Sequence, residues 1–147
     1  MKMPYFQAVL QEIFRIATAI PLGSHKATMD TEFMGYTIKK GSNLLSNICG
    51  VHMDPTNFDS PEKFNPERFI DKEGQFVKSD LILTFGSGRR SCLGETLARD
   101  QIFIFLTRIV QAYEIMPLQK MDSLTGTVNV IGYHCCEYEV VFEPRIQ

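Results

Sequence analysis

Behind Pro4, a residue suited to the first turn of a helix, apolar positions recur every three or four residues at Val9, Leu10, Ile13, Phe14, Ile16, Ala17 and Ile20, until Pro21 and Gly23 break the pattern. This spacing predicts an amphipathic helix. From Thr28 to Lys40 the β-favouring Phe33, Tyr36, Thr37 and Ile38, punctuated by Gly35 and Gly41, predict short strands or a hairpin. Asn43 to Met53 fits either a strand or a short helix. Asp54 to Phe69 carries Pro55, Pro61 and Pro66 with Phe58, Phe64 and Phe69 between them. The prolines forbid a long helix or a central strand and the phenylalanines call for burial, so an ordered meander pinned to a larger surface is expected. Asp71 to Gln75, with Gly74, reads as an exposed turn.

Leu81, Ile82 and Leu83 form a strand-like run, and Leu93 to Ala112 predicts a second helix. Its Leu97, Ala98, Ile102, Phe103, Ile104, Phe105, Leu106, Ile109 and Val110 cover nearly every face, a pattern expected of a buried helix. The tail from Tyr113 to Gln147 has strand signals at Val128 to Ile131 and Tyr138 to Phe142, separated by Gly126 and Gly132. No internal repeat or low-complexity segment is present, and the chain reads as part of one domain, residues 1–147.

Composition narrows the function. With 147 residues, 44% hydrophobic and 22% charged, the chain is globular in type. A net charge of −2 without a long basic run argues against nucleic acid as the main partner. Cys49, Cys92, Cys135 and Cys136 are too sparse for a disulfide framework, and the adjacent Cys135 and Cys136 are poorly placed to bridge each other, so a reducing compartment is expected. Met1 to Tyr5 lead into the first helix without a signal-peptide pattern. The richest apolar segment, Ile102 to Val110, is too short to cross a bilayer and is interrupted by Arg108, so no anchor is expected in the chain as written.

The densest chemistry lies in FGSGRRSCLGE, Phe85 to Glu95. Cys92 stands where a glycine-rich loop enters the second helix, a position whose unpaired N–H groups favour thiolate over thiol. As a nucleophile the thiolate would need a base, and His52 and His134 lie in no thiol-enzyme signature. Zinc would need paired ligand spacings that the four cysteines lack. A buried structural cysteine leaves the glycines and arginines unexplained. An iron ligand beneath a flat macrocycle gives each a role: Gly86, Gly88 and Gly94 let backbone approach a planar ligand, Phe85 shields the sulfur, and Arg90 neutralises a carboxylate at the ligand's edge.

The string Phe85-x-x-Gly88-x-Arg90-x-Cys92-x-Gly94 resembles the haem-binding loop of the cytochrome P450 family. Glu12-x-x-Arg15 in the first helix and Pro66-Glu67-Arg68-Phe69 resemble two further segments of that family, in the same order. On physical grounds alone, Glu12 and Arg15 share a helix face, and such a pair by itself reads as a solvated surface pair worth a few tenths of a kcal/mol. Arg68 could complete a network by bidentate contact with Glu12, locking meander to helix. The resemblance implies this arrangement as a structural network of Glu12, Arg15 and Arg68.

The resemblance further implies a mainly α fold with small β-sheets (α+β), the C-terminal portion of the cytochrome P450 fold, in the animal microsomal branch. It implies Cys92 as axial ligand to the iron of haem b (iron protoporphyrin IX), and His25 as a propionate donor in the turn after the first helix, with Lys26 as the alternative. Thr84 and Lys39 stand where the family commonly has proline. The matched segments cover about the last third of a family member, so a fragment is expected. The oxygen-activating helix, with its acid next to a threonine, would lie upstream, and no catalytic residue is expected here; Asp30-Thr31 falls in the wrong context. Ala19 to Ser24 and Asn129 to Gly132 are candidate remnants of a substrate pocket.

For the complete protein the resemblance implies monooxygenation: O2 is activated with two electrons and one oxygen atom enters a small hydrophobic organic substrate. The electrons would come from an NADPH-dependent cytochrome P450 reductase, with Arg89, Lys72 and Lys78 as candidate contacts. It would sit on the cytoplasmic face of the endoplasmic reticulum membrane, membrane-associated only at full length. The alternative is a truncated, non-catalytic fragment or interaction module without haem, exposing the face from Leu97 to Val110.

Overall fold

The computed structural model describes residues 3–118, 127–128, 133–135 and 137–145. Contacts divide the chain into two compact units, Met1–Gly86 and Ser87–Gln147.

The first unit opens with helix α1, Pro4–Ala17, whose Pro4 occupies the first turn as its spacing predicts. The helix stops three residues before Ile20, because Thr18 turns out of helical geometry at φ 21°; Ile20 is exposed. Strand β1, Leu22–Lys26, follows, then β2, Thr31–Phe33, and β3, Tyr36–Ile38. β2 and β3 form an antiparallel hairpin with Phe33 opposite Tyr36. Met34 and Gly35 turn the chain at φ 49° and 82°, a reversal that favours glycine at its second position. Asp30 clasps the open end, accepting from Lys39 Nζ at 2.9 Å and from the Lys40 N–H at 2.8 Å.

Both readings of Asn43 to Met53 are realised in succession. Strand β4, Asn43–Asn47, pairs antiparallel with β1, and helix α2, Ile48–His52, follows directly. Asn47 caps α2, its side-chain oxygen accepting from the Gly50 N–H at 2.9 Å.

The segment Asp54 to Phe69 is an ordered meander, ending in a 3-10 turn, Pro66–Phe69, capped by Asn65. Phe58 and Phe69 are buried edge to face, with ring centroids 6.4 Å apart, and form the core with Ala8 of α1. Ile70, Phe76 and Ile82 pack around them. Phe64 departs from expectation: it is 44% exposed, because Ala8, Phe58 and Phe69 already fill the core. Asp71 to Gln75 is the expected exposed turn, with Asp71 Oδ1 accepting from the N–H groups of Glu73 and Gln75. Leu81 to Leu83 form no strand. Leu81 is exposed and Ile82 packs on the core.

In the second unit a short 3-10 turn, Gly88–Arg90, precedes helix α3, Glu95–Ala112, which begins two residues later than the sequence pattern suggests. Strand β5, Tyr113–Pro117, continues from its end. The last turn of α3 is closed by Arg145, which donates through its backbone N–H to the Ala112 carbonyl at 2.8 Å and through Nε to the Val110 carbonyl at 3.0 Å. Thr127–Val128 (β6) pairs antiparallel with Tyr133–His134 (β7), and β5 with Val140–Pro144 (β8). Strand signal at Asn129 to Ile131 lies outside the described residues, and Tyr138 precedes its strand.

The expectation that α3 is buried is corrected. No residue of α3 is buried, and Leu97 and Phe105 are 63% and 65% exposed. A helix apolar on nearly every face needs neighbours on nearly every face, and within its unit α3 packs mainly against β5. Among the described residues no helix is long and apolar enough to cross a membrane.

The core makes a direct prediction. Phe69→Ala empties a site at the centre of the cluster and should cost about 3–5 kcal/mol in denaturant unfolding. Phe64→Ala should change stability by no more than about 0.5 kcal/mol.

Candidate haem-thiolate site and its supporting network

Glu12 and Arg15 are fully buried, which corrects the solvated-face reading of this pair. Burial of two charges is tolerable only when every polar atom finds a partner, and here each does. Arg15 grips the Glu12 carboxylate with two N–H groups: Nε to Oε2 and Nη2 to Oε1, both at 2.8 Å. Its Nη1 donates to the His52 carbonyl at 2.8 Å, Nη2 also to the Lys63 carbonyl at 3.2 Å, and the guanidinium lies 5.2 Å from the Phe58 ring centroid. Glu12 Oε1 further accepts from the Asn65 N–H at 2.9 Å and from Arg68 Nε at 3.3 Å.

The bidentate partner of Glu12 is therefore Arg15, and Arg68 contributes one longer bond. Arg68 instead spends its outer nitrogens on the meander, Nη1 to the Asp59 carbonyl at 2.9 Å and Nη2 to the Lys63 carbonyl at 3.3 Å. Sequence spacing could not reveal the backbone share of this network, from Asn65, Lys63, Asp59 and His52, because backbone groups carry no residue signature.

His52, weighed from the sequence only as a base for Cys92, has a structural place that spacing does not show. It is fully buried, and both ring nitrogens are engaged: Nδ1 lies 2.7 Å from Thr18 Oγ1 and Nε2 accepts from the Leu83 N–H at 2.9 Å. Because an amide N–H must donate, Nε2 carries the lone pair and the proton sits on Nδ1. That proton goes to Thr18 Oγ1, which donates to the Arg15 carbonyl at 2.5 Å. Burial first, and then the Arg15 charge, hold the imidazole below its ordinary 6.5, against the opposing pull of the Arg15 and Leu81 carbonyls. With both nitrogens committed, His52 is not a free general base. The side chain of His134 lies outside the described residues.

The loop begins in the first unit. Thr84 Oγ1 donates to the Phe14 carbonyl at 2.6 Å, the Gly86 N–H to the Leu83 carbonyl at 2.8 Å, and Phe85 meets Phe14 edge to face at 5.2 Å. Thr84, where the family commonly has proline, thus anchors the loop through a side-chain bond that proline could not make. Gly86 lies at φ 74° and Gly88 at φ 72°, a left-handed backbone that favours glycine at both.

In the second unit the Gly88–Arg90 turn is closed by the Ser91 N–H donating to the Gly88 carbonyl at 3.2 Å. Arg89 and Arg90 are exposed, and Arg90 makes no hydrogen bond or ion pair among the described residues. Cys92 is a free, exposed thiol just before α3. A Cβ at position 94 would lie 3.9 Å from its Sγ, in ordinary van der Waals contact. Leu93 is fully exposed beside it.

This donor set fits a haem better than a protein-chelated ion. Among the described residues no group of three His, Cys, Asp or Glu side chains converges to hold a metal. One accessible sulfur beside an exposed apolar neighbour suits a cofactor that brings its other iron ligands with it.

His25 lies in strand β1 opposite Leu44, not in the turn expected for it, and both it and Lys26 are exposed. Asp30 is occupied in the hairpin clasp. Ala19 and Ile20 are exposed, whereas Asn129 to Gly132 lie outside the described residues.

Two predictions follow from the buried groups. Glu12→Gln leaves Arg15 charged and uncompensated and should lower unfolding free energy by about 3–5 kcal/mol. Because native His52 resists protonation, the unfolded chain binds more protons below its ordinary 6.5. The stabilisation is complete above that pH and lost progressively as pH falls toward the folded value, so denaturation midpoints should drop as pH falls below about 6.5. His52→Gln should flatten that slope.

Comparison with known proteins agrees with the geometry. The family model "Cytochrome P450" matches residues 1–132. Cytochrome P450 2F5 of Gorilla gorilla gorilla and cytochrome P450 2F1 of Homo sapiens are each 44% identical over 146 residues, covering 97% of this chain and 30% of theirs. Cytochrome P450 2A4 of Mus musculus is 40% identical over 134 residues, 90% of this chain and 27% of its own. The chain thus spans under a third of the length of these relatives. A glycine-turned loop ending in an accessible thiol, the buried Glu12–Arg15 pair and this match across nearly every residue place the chain in the cytochrome P450 family.

Proposed function

We propose that the protein carrying this chain is a haem-thiolate monooxygenase, of which these residues form the cysteine-ligand portion of a single domain. The observation that carries this reading is the exposed Cys92 thiol at the end of a loop turned by two left-handed glycines, immediately before α3.

Cys92 would hold the iron of haem b (iron protoporphyrin IX) through its thiolate. Arg90, exposed and without a protein partner among the described residues, would neutralise a propionate; His25 or Lys26 would serve a second. Gly86, Gly88 and Gly94 would let the loop lie close to the macrocycle, and Phe85 would limit water near the sulfur. The bound haem supplies dioxygen activation, in which one oxygen atom enters a small hydrophobic organic substrate and the other leaves as water, using two electrons and two protons.

Those electrons would come from an NADPH-dependent cytochrome P450 reductase, for which the exposed Arg89, Lys72 and Lys78 are candidate contacts. By analogy with the family's microsomal members, the complete protein would sit on the cytoplasmic face of the endoplasmic reticulum membrane. The exposed apolar side chains of α3 favour a second reading, in which the 147-residue chain by itself is a non-catalytic fragment without haem that associates through this face.

Reduced, carbon monoxide-treated complete protein should show the red-shifted Soret band of thiolate ligation, and Cys92→Ser should abolish it. A wild-type protein without that band, or an unchanged Cys92→Ser spectrum, would remove the assignment. Size-exclusion chromatography with haem titration of the 147-residue chain separates the two readings: the second predicts self-association without haem uptake.

A further inference from the structure

We propose that His52 is a positioning residue for the cysteine loop, its neutral ring tying the last turn of α1 to the backbone N–H of Leu83, nine residues before Cys92. The inference rests on the haem-thiolate reading for the loop's purpose, but the geometry lies wholly within the first unit.

A relay of three hydrogen bonds runs in one direction. The Leu83 N–H donates to His52 Nε2, His52 Nδ1–H to Thr18 Oγ1, and Thr18 O–H to the Arg15 carbonyl. Each group uses the donor or acceptor left to it by the previous one, so only one tautomer satisfies all three. Arg15 also donates to the His52 carbonyl at 2.8 Å, so the histidine is held at its backbone by the same residue whose carbonyl ends the relay. Thr18, a β-branched residue at φ 21°, adopts a backbone such residues rarely take and is fixed there by bonds on both sides of its hydroxyl.

At the receiving end Leu83 is pinned twice, its N–H by His52 and its carbonyl by the Gly86 N–H. Thr84 and Phe85, the next two residues, are seated on Phe14. The start of the loop is thus defined by α1 and by His52. Without the imidazole, the Leu83 N–H loses its only hydrogen-bond acceptor among the described residues, and the loop's departure point is free to shift against α1. A histidine that merely filled space would need neither nitrogen placed.

The experiment uses the complete haem-loaded protein in four forms: wild type, His52→Leu, His52→Gln and Thr18→Val. Gln can accept from the Leu83 N–H and donate toward Thr18, whereas Leu can do neither. His52→Leu should shorten the haem-retention half-life about three- to tenfold, the size of one lost hydrogen bond. It should also reduce the red-shifted Soret fraction and speed amide exchange at Leu83. His52→Gln should restore most of each readout, and Thr18→Val, which keeps the imidazole, should move them in the same direction by less. Phe69→Ala serves as control: it should lower stability without changing the Soret fraction.

If His52→Leu keeps wild-type haem retention and Soret fraction, or if Gln rescues no better than Leu, the inference is overturned. Should His52→Leu fail to fold, the Gln and Thr18→Val forms decide it by the same readouts. A wild-type protein lacking the red-shifted band would instead defeat the haem-thiolate reading, while the Leu83 exchange comparison would still report on the relay.

Discussion

The first unit depends on one buried carboxylate. Glu12, on the buried face of α1, has no solvent contact, and both of its oxygens are occupied by Arg15, the Asn65 N–H and Arg68. A charge in that position is tolerable only while all of these donors stay in place. The helix and the proline-rich meander are therefore coupled: neither can shift without leaving a charge unpaired. Apolar packing of Ala8, Phe58 and Phe69 holds the same two elements together but does not set their register as strictly, since hydrophobic contact is not directional.

The consequence reaches the loop through α1. Its last turn gives its Phe14 carbonyl to Thr84 and its Arg15 carbonyl to Thr18, and Thr18 is tied through His52 to Leu83. The segment that leads to Cys92 thus starts from a surface fixed by the buried ion pair. What these residues supply is placement: an accessible sulfur with two left-handed glycines before it.

Much of this was legible in the sequence because the signals were local. The period of α1, the prolines and phenylalanines of the meander, the hairpin at Gly35 and the cysteine loop each follow from spacing and side-chain type. What was not legible depended on tertiary partners. Glu12 and Arg15 look like a surface pair because three-residue spacing says nothing of what lies above the helix. Phe64 is a phenylalanine among buried phenylalanines, and only the filled core leaves it outside. His52 carries no motif, since its partners are a backbone amide and a hydroxyl 34 positions away. For α3 the apolar pattern predicts burial, but pattern records what a helix is suited to pack against, and its own unit covers little of it.

The central claim is that the Cys92 sulfur bonds to haem iron, and iron X-ray absorption on the complete protein tests it most directly. The account predicts a single sulfur scatterer in the iron's innermost shell, lost in Cys92→Ser. A shell made only of nitrogen and oxygen, or a sulfur signal that survives the substitution, would contradict it.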